Sequence, residues 1–202
     1  MKKTLVIALS VSFLVVAGCS KRNSNTISPL NAGFTGKYTE TKDGITRDLD
    51  IKNGIPDGLV TEKYPNGKKK TEINYKSGKR DGLETSWYEN GQKKSEANFK
   101  DDKINGLSTT WYENGQKESE AHYIDGKNNG LLKAWHENGK LKSEGNFQDG
   151  KRSGLIVNWF ENGQKKLETN YKDDKANGSA TEWFENGQVK RKGVFKDGHL
   201  IE

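Results

Sequence analysis

Beyond residue 37 the chain alternates apolar and polar residues over stretches of six to eight, such as Lys94–Lys100 and Leu107–Glu113. Alternation with period two predicts half-buried β-strands. No helical period is present, and a Gly interrupts every dozen residues or so, which argues against helix. Two turn signals separate the strands. One is Asn90-Gly91 and its copies; Asn-Gly suits a type I′ hairpin turn, in which both central residues need φ > 0. The other is Asp125-Gly126, Asp149-Gly150 and Asp197-Gly198, with Ser77-Gly78 and Asp-Asp variants at 101–102 and 173–174.

These elements recur with a fixed period. Gly67, Gly91, Gly115, Gly139, Gly163 and Gly187 stand 24 residues apart, as do Trp87, Trp111, Trp135, Trp159 and Trp183. A second Gly recurs from Gly58 to Gly178, and an aromatic residue from Tyr75 to Phe195. A worn copy occupies Tyr38–Lys63, with Ile51 in the aromatic place, and the last copy is half a unit. A period of this length marks a repeat architecture. The expected fold is all-β: an elongated, single-layer antiparallel sheet of tandem 24-residue β-hairpins over 38–202, with about twelve to fourteen strands. At roughly 4.8 Å per strand it would be about 60 Å long.

A two-residue Asn90-Gly91 loop pairs Glu89 with Gln92, Tyr88 with Lys93 and Trp87 with Lys94. It likewise pairs Trp135 with Lys142, Trp159 with Lys166 and Trp183 with Lys190, each Lys over an indole, while Trp111 meets Glu118. One face then carries Trp111 and Leu107, and the other carries Tyr88, Phe99, Ala97, Gly106 and Ser108, with Phe99 covering Gly106. The Trp ladder and Lys94, Lys142, Lys166 and Lys190 are the candidate contact strip; internal stacking that stabilises each unit is the competing reading.

The spacing of the aromatic residue, the Asp-Gly turn and the following Gly resembles the MORN-repeat superfamily, as does the Trp-aromatic-Glu-Asn-Gly element. The match is closest to its bacterial variant, the YwqK-type antitoxin repeat. The resemblance spans about residues 38–202 and implies stacked hairpins serving as binding or assembly modules. Ser108, Leu132 and Ile156 stand where that superfamily has a second Gly.

The N-terminus differs in kind. Lys2 and Lys3 precede the thirteen-residue run Leu5–Ala17, in which Ser10 and Ser12 are the polar residues. The run is too short to span a bilayer, which takes about 20 residues, and fits a secretory signal over 1–18. Val16-Ala17-Gly18-Cys19 resembles the bacterial lipobox, which implies a palmitate-type lipid on Cys19; an ordinary cleaved signal is the alternative. Ser20 at the next position implies outer-membrane sorting in a two-membrane bacterium, and otherwise the outer face of the plasma membrane. Residues 19–37 read as the lipidated Cys and a flexible tether.

Composition narrows the function. Only 30% of residues are apolar, and twelve of those fall in the first eighteen, too few for an ordinary compact core. The single Cys excludes an intramolecular disulfide. The net charge is +6, and Lys clusters such as Lys68–Lys70 interleave with aromatics; export argues against nucleic acid as partner. His122, His136 and His199 are the three histidines, and 122 and 136 fall in different strands, so a metal or catalytic role is not expected. Glu96, Glu120, Glu144 and Glu168 read as a solvated ladder alternating with Lys, and the Asp-Asp pairs as turns. The expectation is therefore a non-catalytic, membrane-anchored cell-envelope lipoprotein, with no cofactor beyond the lipid on Cys19, whose array binds a protein or polymer. An antitoxin or immunity protein that neutralises a toxin by direct binding is the alternative.

Overall fold

The computed structural model describes residues 33–202. The signal segment 1–18, Cys19 and the tether up to residue 32 lie outside the described residues.

The array is one open sheet of 15 antiparallel strands in sequence order. The strands are β1 (Gly36–Lys42), β2 (Ile45–Lys52), β3 (Ile55–Lys63), β4 (Lys69–Lys76), β5 (Lys79–Trp87), β6 (Lys93–Lys100), β7 (Lys103–Trp111) and β8 (Lys117–Ile124). They continue as β9 (Lys127–Trp135), β10 (Leu141–Gln148), β11 (Lys151–Trp159), β12 (Lys165–Lys172), β13 (Lys175–Trp183), β14 (Val189–Lys196) and β15 (His199–Leu200). The all-β hairpin fold is the expected one, one strand longer than the expected range; β1 begins at Gly36, inside the stretch read as tether. Each strand contacts chiefly its sequence neighbours, as in a repeat solenoid.

The Asn-Gly turn differs from the sequence expectation. In the Asn-Gly turn Asn90 keeps a negative φ and Gly91 alone is left-handed, at +96°. The Tyr88 amide donates to the Gln92 carbonyl and the Gly91 amide to the Tyr88 carbonyl. This is a three-residue loop, a type I turn closed by Gly in the αL region, not a type I′ turn. Asn90 is freed for other work: its Oδ1 accepts from the Gln92 amide at 2.8 Å, and its Nδ2 donates to the Glu113 carbonyl of the next unit at 3.1 Å. The type I′ geometry appears at the other end of the hairpin. Asp125 and Gly126 have φ of 50° and 80°, and Asp101 and Asp102 have 48° and 67°.

Bulges repair the register. The three-residue loop alone would offset every later pair by one, but Lys94 is bulged out, so Trp87 pairs with Lys93 and Ser86 with Ser95. From Ser86 inward the pairing equals that of a two-residue loop. A second bulge lies between Ala97↔Ser108 and Phe99↔Ile104, where two extra residues of β7 are accommodated. Gly106 sits there with φ of 110°. The expected cover of Gly106 by Phe99 is corrected accordingly: Gly106 faces Tyr123 and Phe99 faces Gly82. A Cβ on Gly58 would stand 2.8 Å from the Asp50 Cβ, so at that copy space as well as φ demands Gly.

The buried apolar side chains gather on one face, the inner face, which carries Ile73, Ala97, Phe99, Ala121, Leu132, Ile156, Tyr171 and Phe195. Two cross-strand pairs there set a small residue against a large one. Ala121 faces Leu132 and Gly145 faces Ile156, whereas Ala97 faces Ser108 and Thr169 faces Ala180. A Cβ on Gly145 would stand 2.1 Å from the Ile156 Cδ1. Core volume is thus shared between two strands, which lets a small residue on one accommodate a large one on the other.

Candidate interaction surface

The outer face is built from the alternate positions of the same strands. Along β5 these are Leu83, Thr85 and Trp87; along β6 they are Lys93, Glu96 and Asn98. Repetition turns them into three rows running across the strands.

The first row holds the tryptophans. Lys69 stands over Trp87 at 5.7 Å, Lys93 over Trp111 at 5.4 Å, Lys117 over Trp135 at 5.8 Å and Lys165 over Trp183 at 5.8 Å from the ring centroids. Each Lys reaches forward to the Trp of the following hairpin. The sequence expectation chose the wrong lysines, because the bulge lifts its candidates out of line. Lys94, Lys166 and Lys190 lie instead over Tyr88, Phe160 and Phe184. Lys142 is bulged at the equivalent place beside Leu141, which pairs with Trp135, and Trp111 pairs with Lys117 rather than Glu118. Leu141 occupies the register position from which the other lysines reach the next Trp.

The second row balances those cations. Lys93–Glu96 at 2.7 Å, Lys117–Glu120 at 2.5 Å and Lys165–Glu168 at 2.5 Å repeat one ion pair, as does Lys69–Glu72 at 2.5 Å. Where Leu141 replaces the Lys, Glu144 pairs with Lys133 at 3.4 Å. The Glu ladder is therefore neutralised within the sheet. Surface pairs of this kind contribute about 0.2–1 kcal/mol each.

The third row went unnoticed as a site at the sequence level. Leu59, Leu83, Leu107, Leu131 and Leu155 follow the bulge glycines and remain 41–49% exposed. Their own 24-residue spacing was visible in the sequence. What was not visible is how exposed they remain.

Bonds between units stiffen both rims. The Tyr64, Tyr88 and Tyr112 hydroxyls donate to the carbonyls of Trp87, Trp111 and Trp135 in the next unit at 2.7–2.8 Å. Burial, with nearby carboxylates adding to it, raises all three hydroxyls above the ordinary tyrosine value. His136 replaces Tyr and puts Nε2 3.0 Å from the Trp159 carbonyl oxygen, a bond in which Nε2 must carry the proton. At the other rim Asp102 accepts the Arg80 amide at 3.0 Å and its Nε at 3.3 Å, while the Arg80 guanidinium stacks on Phe99 at 4.1 Å. Arg152 holds Asp174 and stacks on Tyr171 in the same way. Burial alone would raise the Asp174 carboxyl, but these Arg152 contacts outweigh it and hold it below the ordinary range. The Asp-Asp pairs thus act as clamps between successive turns. Among the described residues no group of three or more His, Cys, Asp or Glu is placed to hold a metal, and no helix is long and apolar enough to cross a membrane.

Comparison with known proteins assigns the fold. The pattern of the MORN repeat variant matches residues 56–77, 80–101, 104–125, 128–149, 152–173 and 176–197, more than half of the chain. The chain belongs to this family, and its array is a repeat-built binding surface. No curated protein matches it. Among solved structures, a mutant of S. aureus TarM in complex with fondaparinux, α-GlcNAc-glycerol and UDP matches at 14% identity and TM-score 0.30, covering 58% of this chain and 21% of that one. A second structure of TarM matches at 14% identity and TM-score 0.28, covering 56% of this chain and 21% of that one.

Proposed function

We propose that the chain is a membrane-anchored, exported bacterial lipoprotein whose array is a non-catalytic surface for a protein or polymer partner. The leucine row supports the surface reading most directly. One large apolar side chain per unit is held in solvent, in line, on the face whose charges are already paired. A packed protein gains nothing by exposing such a row, and contiguous exposed apolar positions mark interaction sites. The tryptophans contribute less as free contacts, because lysines stack over four of them. The anchor is supported by Cys19 at the end of the apolar run, after Val16-Ala17-Gly18.

Two experiments test the two halves. Cys19→Ala should move the protein out of the membrane fraction; a variant that still fractionates with membrane overturns the anchor. In whole cells, a photo-crosslinking amino acid at Leu107 should trap a partner, and so should one at Leu83. Failure at both positions overturns the surface. Trapping of a toxin one-to-one would instead favour the immunity reading.

A further inference from the structure

We propose that the Asn186-Gly187 turn is a self-modifying site. The Gly187 amide nitrogen attacks the Asn186 side chain, and water completes the conversion of Asn186 to aspartate and isoaspartate.

The chemistry needs an asparagine followed by a residue whose nitrogen is unshielded, and glycine has no side chain to shield it. The amide nitrogen bonds to Cγ, and the Cγ–Nδ2 bond breaks. The glycine amide proton leaves with Nδ2 as ammonia, and a cyclic succinimide remains. Water then opens either carbonyl of the ring. Opening on one side gives aspartate. Opening on the other routes the backbone through Cβ and Cγ and gives isoaspartate. Water is taken up, ammonia is released, and nothing is oxidised or reduced.

The chain holds ten Asn-Gly pairs, so the fold must decide which of them reacts. Asn105, Asn129 and Asn177 lie within β7, β9 and β13, half-buried between neighbouring strands. Asn53 is left-handed, with φ of 52°, which sets its Cβ opposite the following nitrogen. Its own amide and that of Gly54 are held as well, by Thr35 Oγ1 at 3.1 Å and the Phe34 carbonyl at 2.8 Å. The other six are the three-residue loops. In each of these Asn keeps a negative φ, and its Oδ1 accepts the amide two residues on.

The six loops differ in where Nδ2 goes. Asn90, Asn114, Asn138 and Asn162 donate to the backbone carbonyls of Glu113, Glu137, Glu161 and Glu185 in the next unit, at 2.9–3.1 Å. Asn66 donates to the Glu89 carboxylate at 3.2 Å. Asn186 reaches only Gln188 Oε1, in its own loop, at 3.4 Å. Ring closure requires Cγ to swing toward the glycine nitrogen. In four loops that swing breaks a bond to a fixed carbonyl of the neighbouring unit. At Asn186 it breaks a long contact with a side chain that can follow. Local sequence does not make this difference, because Asn90, Asn114, Asn162 and Asn186 share the tetrapeptide Glu-Asn-Gly-Gln. Solvent access agrees. Residues 184–190 are all exposed, with Phe184 at 49%, whereas Tyr88, Tyr112 and Phe160 at the same place are half-buried. Conversion adds a negative charge to the loop. As isoaspartate it also adds a backbone carbon to a turn whose length sets the Trp183–Val189 pairing. The β13–β14 hairpin therefore loosens with age, ahead of the others.

Timing all ten sites in one sample tests the proposal. The full-length chain in mild detergent is kept in warm, mildly alkaline buffer and sampled for peptide mass spectrometry, with isoaspartate separated from aspartate by chromatography. Asn186 should convert first, roughly three- to tenfold faster than Asn90, Asn114 and Asn162, the ratio that one hydrogen bond supplies. Asn66 should fall between. In urea the four Glu-Asn-Gly-Gln sites should convert at one rate, because folding alone separates them. Asn186→Gln should remove the first release of ammonia and leave the other nine sites at their own rates. Equal rates in the folded chain, earlier conversion at any other site, a ratio that survives urea, or an early ammonia release that survives Asn186→Gln would each overturn the proposal.

Discussion

The inner face keeps one aromatic residue per unit but changes its smaller residues from unit to unit, while the outer face repeats most of its own. On the inner face the cross-strand pair is Ala97–Ser108 in one unit, Ala121–Leu132 in the next and Gly145–Ile156 in the one after. On the outer face Trp, Lys, Glu and Leu return at the same register with few exceptions. Packing requires only that the volume of a pair be filled, so many pairs serve. A row requires identical groups at identical intervals, so few residues serve. The inner face holds the sheet together locally; the outer face acts only as an array.

The largest effect should come from emptying a matched inner pair. Ile156→Ala leaves a cavity beside Gly145 and should cost about 2–5 kcal/mol, read as a lower denaturation midpoint. Gly145→Ala should cost about 1–3 kcal/mol with Ile156 present and be neutral or stabilising in the Ile156→Ala background. Additive effects in that cycle would refute the shared-volume account.

Next in size is the bulge. Gly106→Ala places a side-chain residue at φ of 110° and should cost about 1–2 kcal/mol, although its Cβ has room, standing 3.8 Å from Asn98. An unchanged melt would show that the bulge can relax.

Tyrosines on the two kinds of position should respond with opposite sign. Tyr88→Phe removes a bond to the Trp111 carbonyl and should cost about 1 kcal/mol. Tyr171→Phe removes a buried hydroxyl that has no bonding partner in the structure and should be neutral or stabilising. The linkage follows from the raised hydroxyls of Tyr64, Tyr88 and Tyr112. A raised folded-state pKa means stability fully present below the ordinary tyrosine value, near pH 10, and lost as pH rises through the raised values. Melts above pH 10 should fall more steeply for the parent than for the triple Tyr→Phe variant.

The smallest effect belongs to the outer face. Lys117→Met removes a cation from above Trp135 and an ion pair with Glu120, and should cost less than about 1 kcal/mol. The parent and variant melts should converge as salt is raised.

The repeat, the hairpin and the sorting of residues onto two faces were legible in the sequence, because strand side chains alternate and the period is long. One turn reading was overturned. Asn90-Gly91 looked like a type I′ signal, yet the structure uses Gly91 alone for the left-handed residue and spends the Asn90 side chain on a bridge to the next unit. Such a bridge needs a neighbour in space, which no local pattern reveals. The loop is then one residue longer than expected, and the Lys94 bulge compensates it. The strands joined by the Asn-Gly loop therefore kept their expected partners in their bodies, while the lysines over Trp and the Phe99–Gly106 pairing did not. The leucine row was spelled out in the sequence on the face of the tryptophans, but the exposure that sets it apart was not.

The bonds that join successive units have a mechanical consequence. Backbone bonds between strands point along the length of the sheet, across which the strands lie. Tension applied between the two ends of the array would therefore load neighbouring strand pairs one after another rather than together. The array should open like a zipper, each 24-residue unit releasing roughly 80 Å of chain. Its force record should be a sawtooth of nearly equal teeth. Tyr64, Tyr88 and Tyr112 each tie their unit to the next, whereas Phe160 offers no hydroxyl at the same position. Teeth should thus be lowest toward the C-terminal end, which makes that end the yielding one.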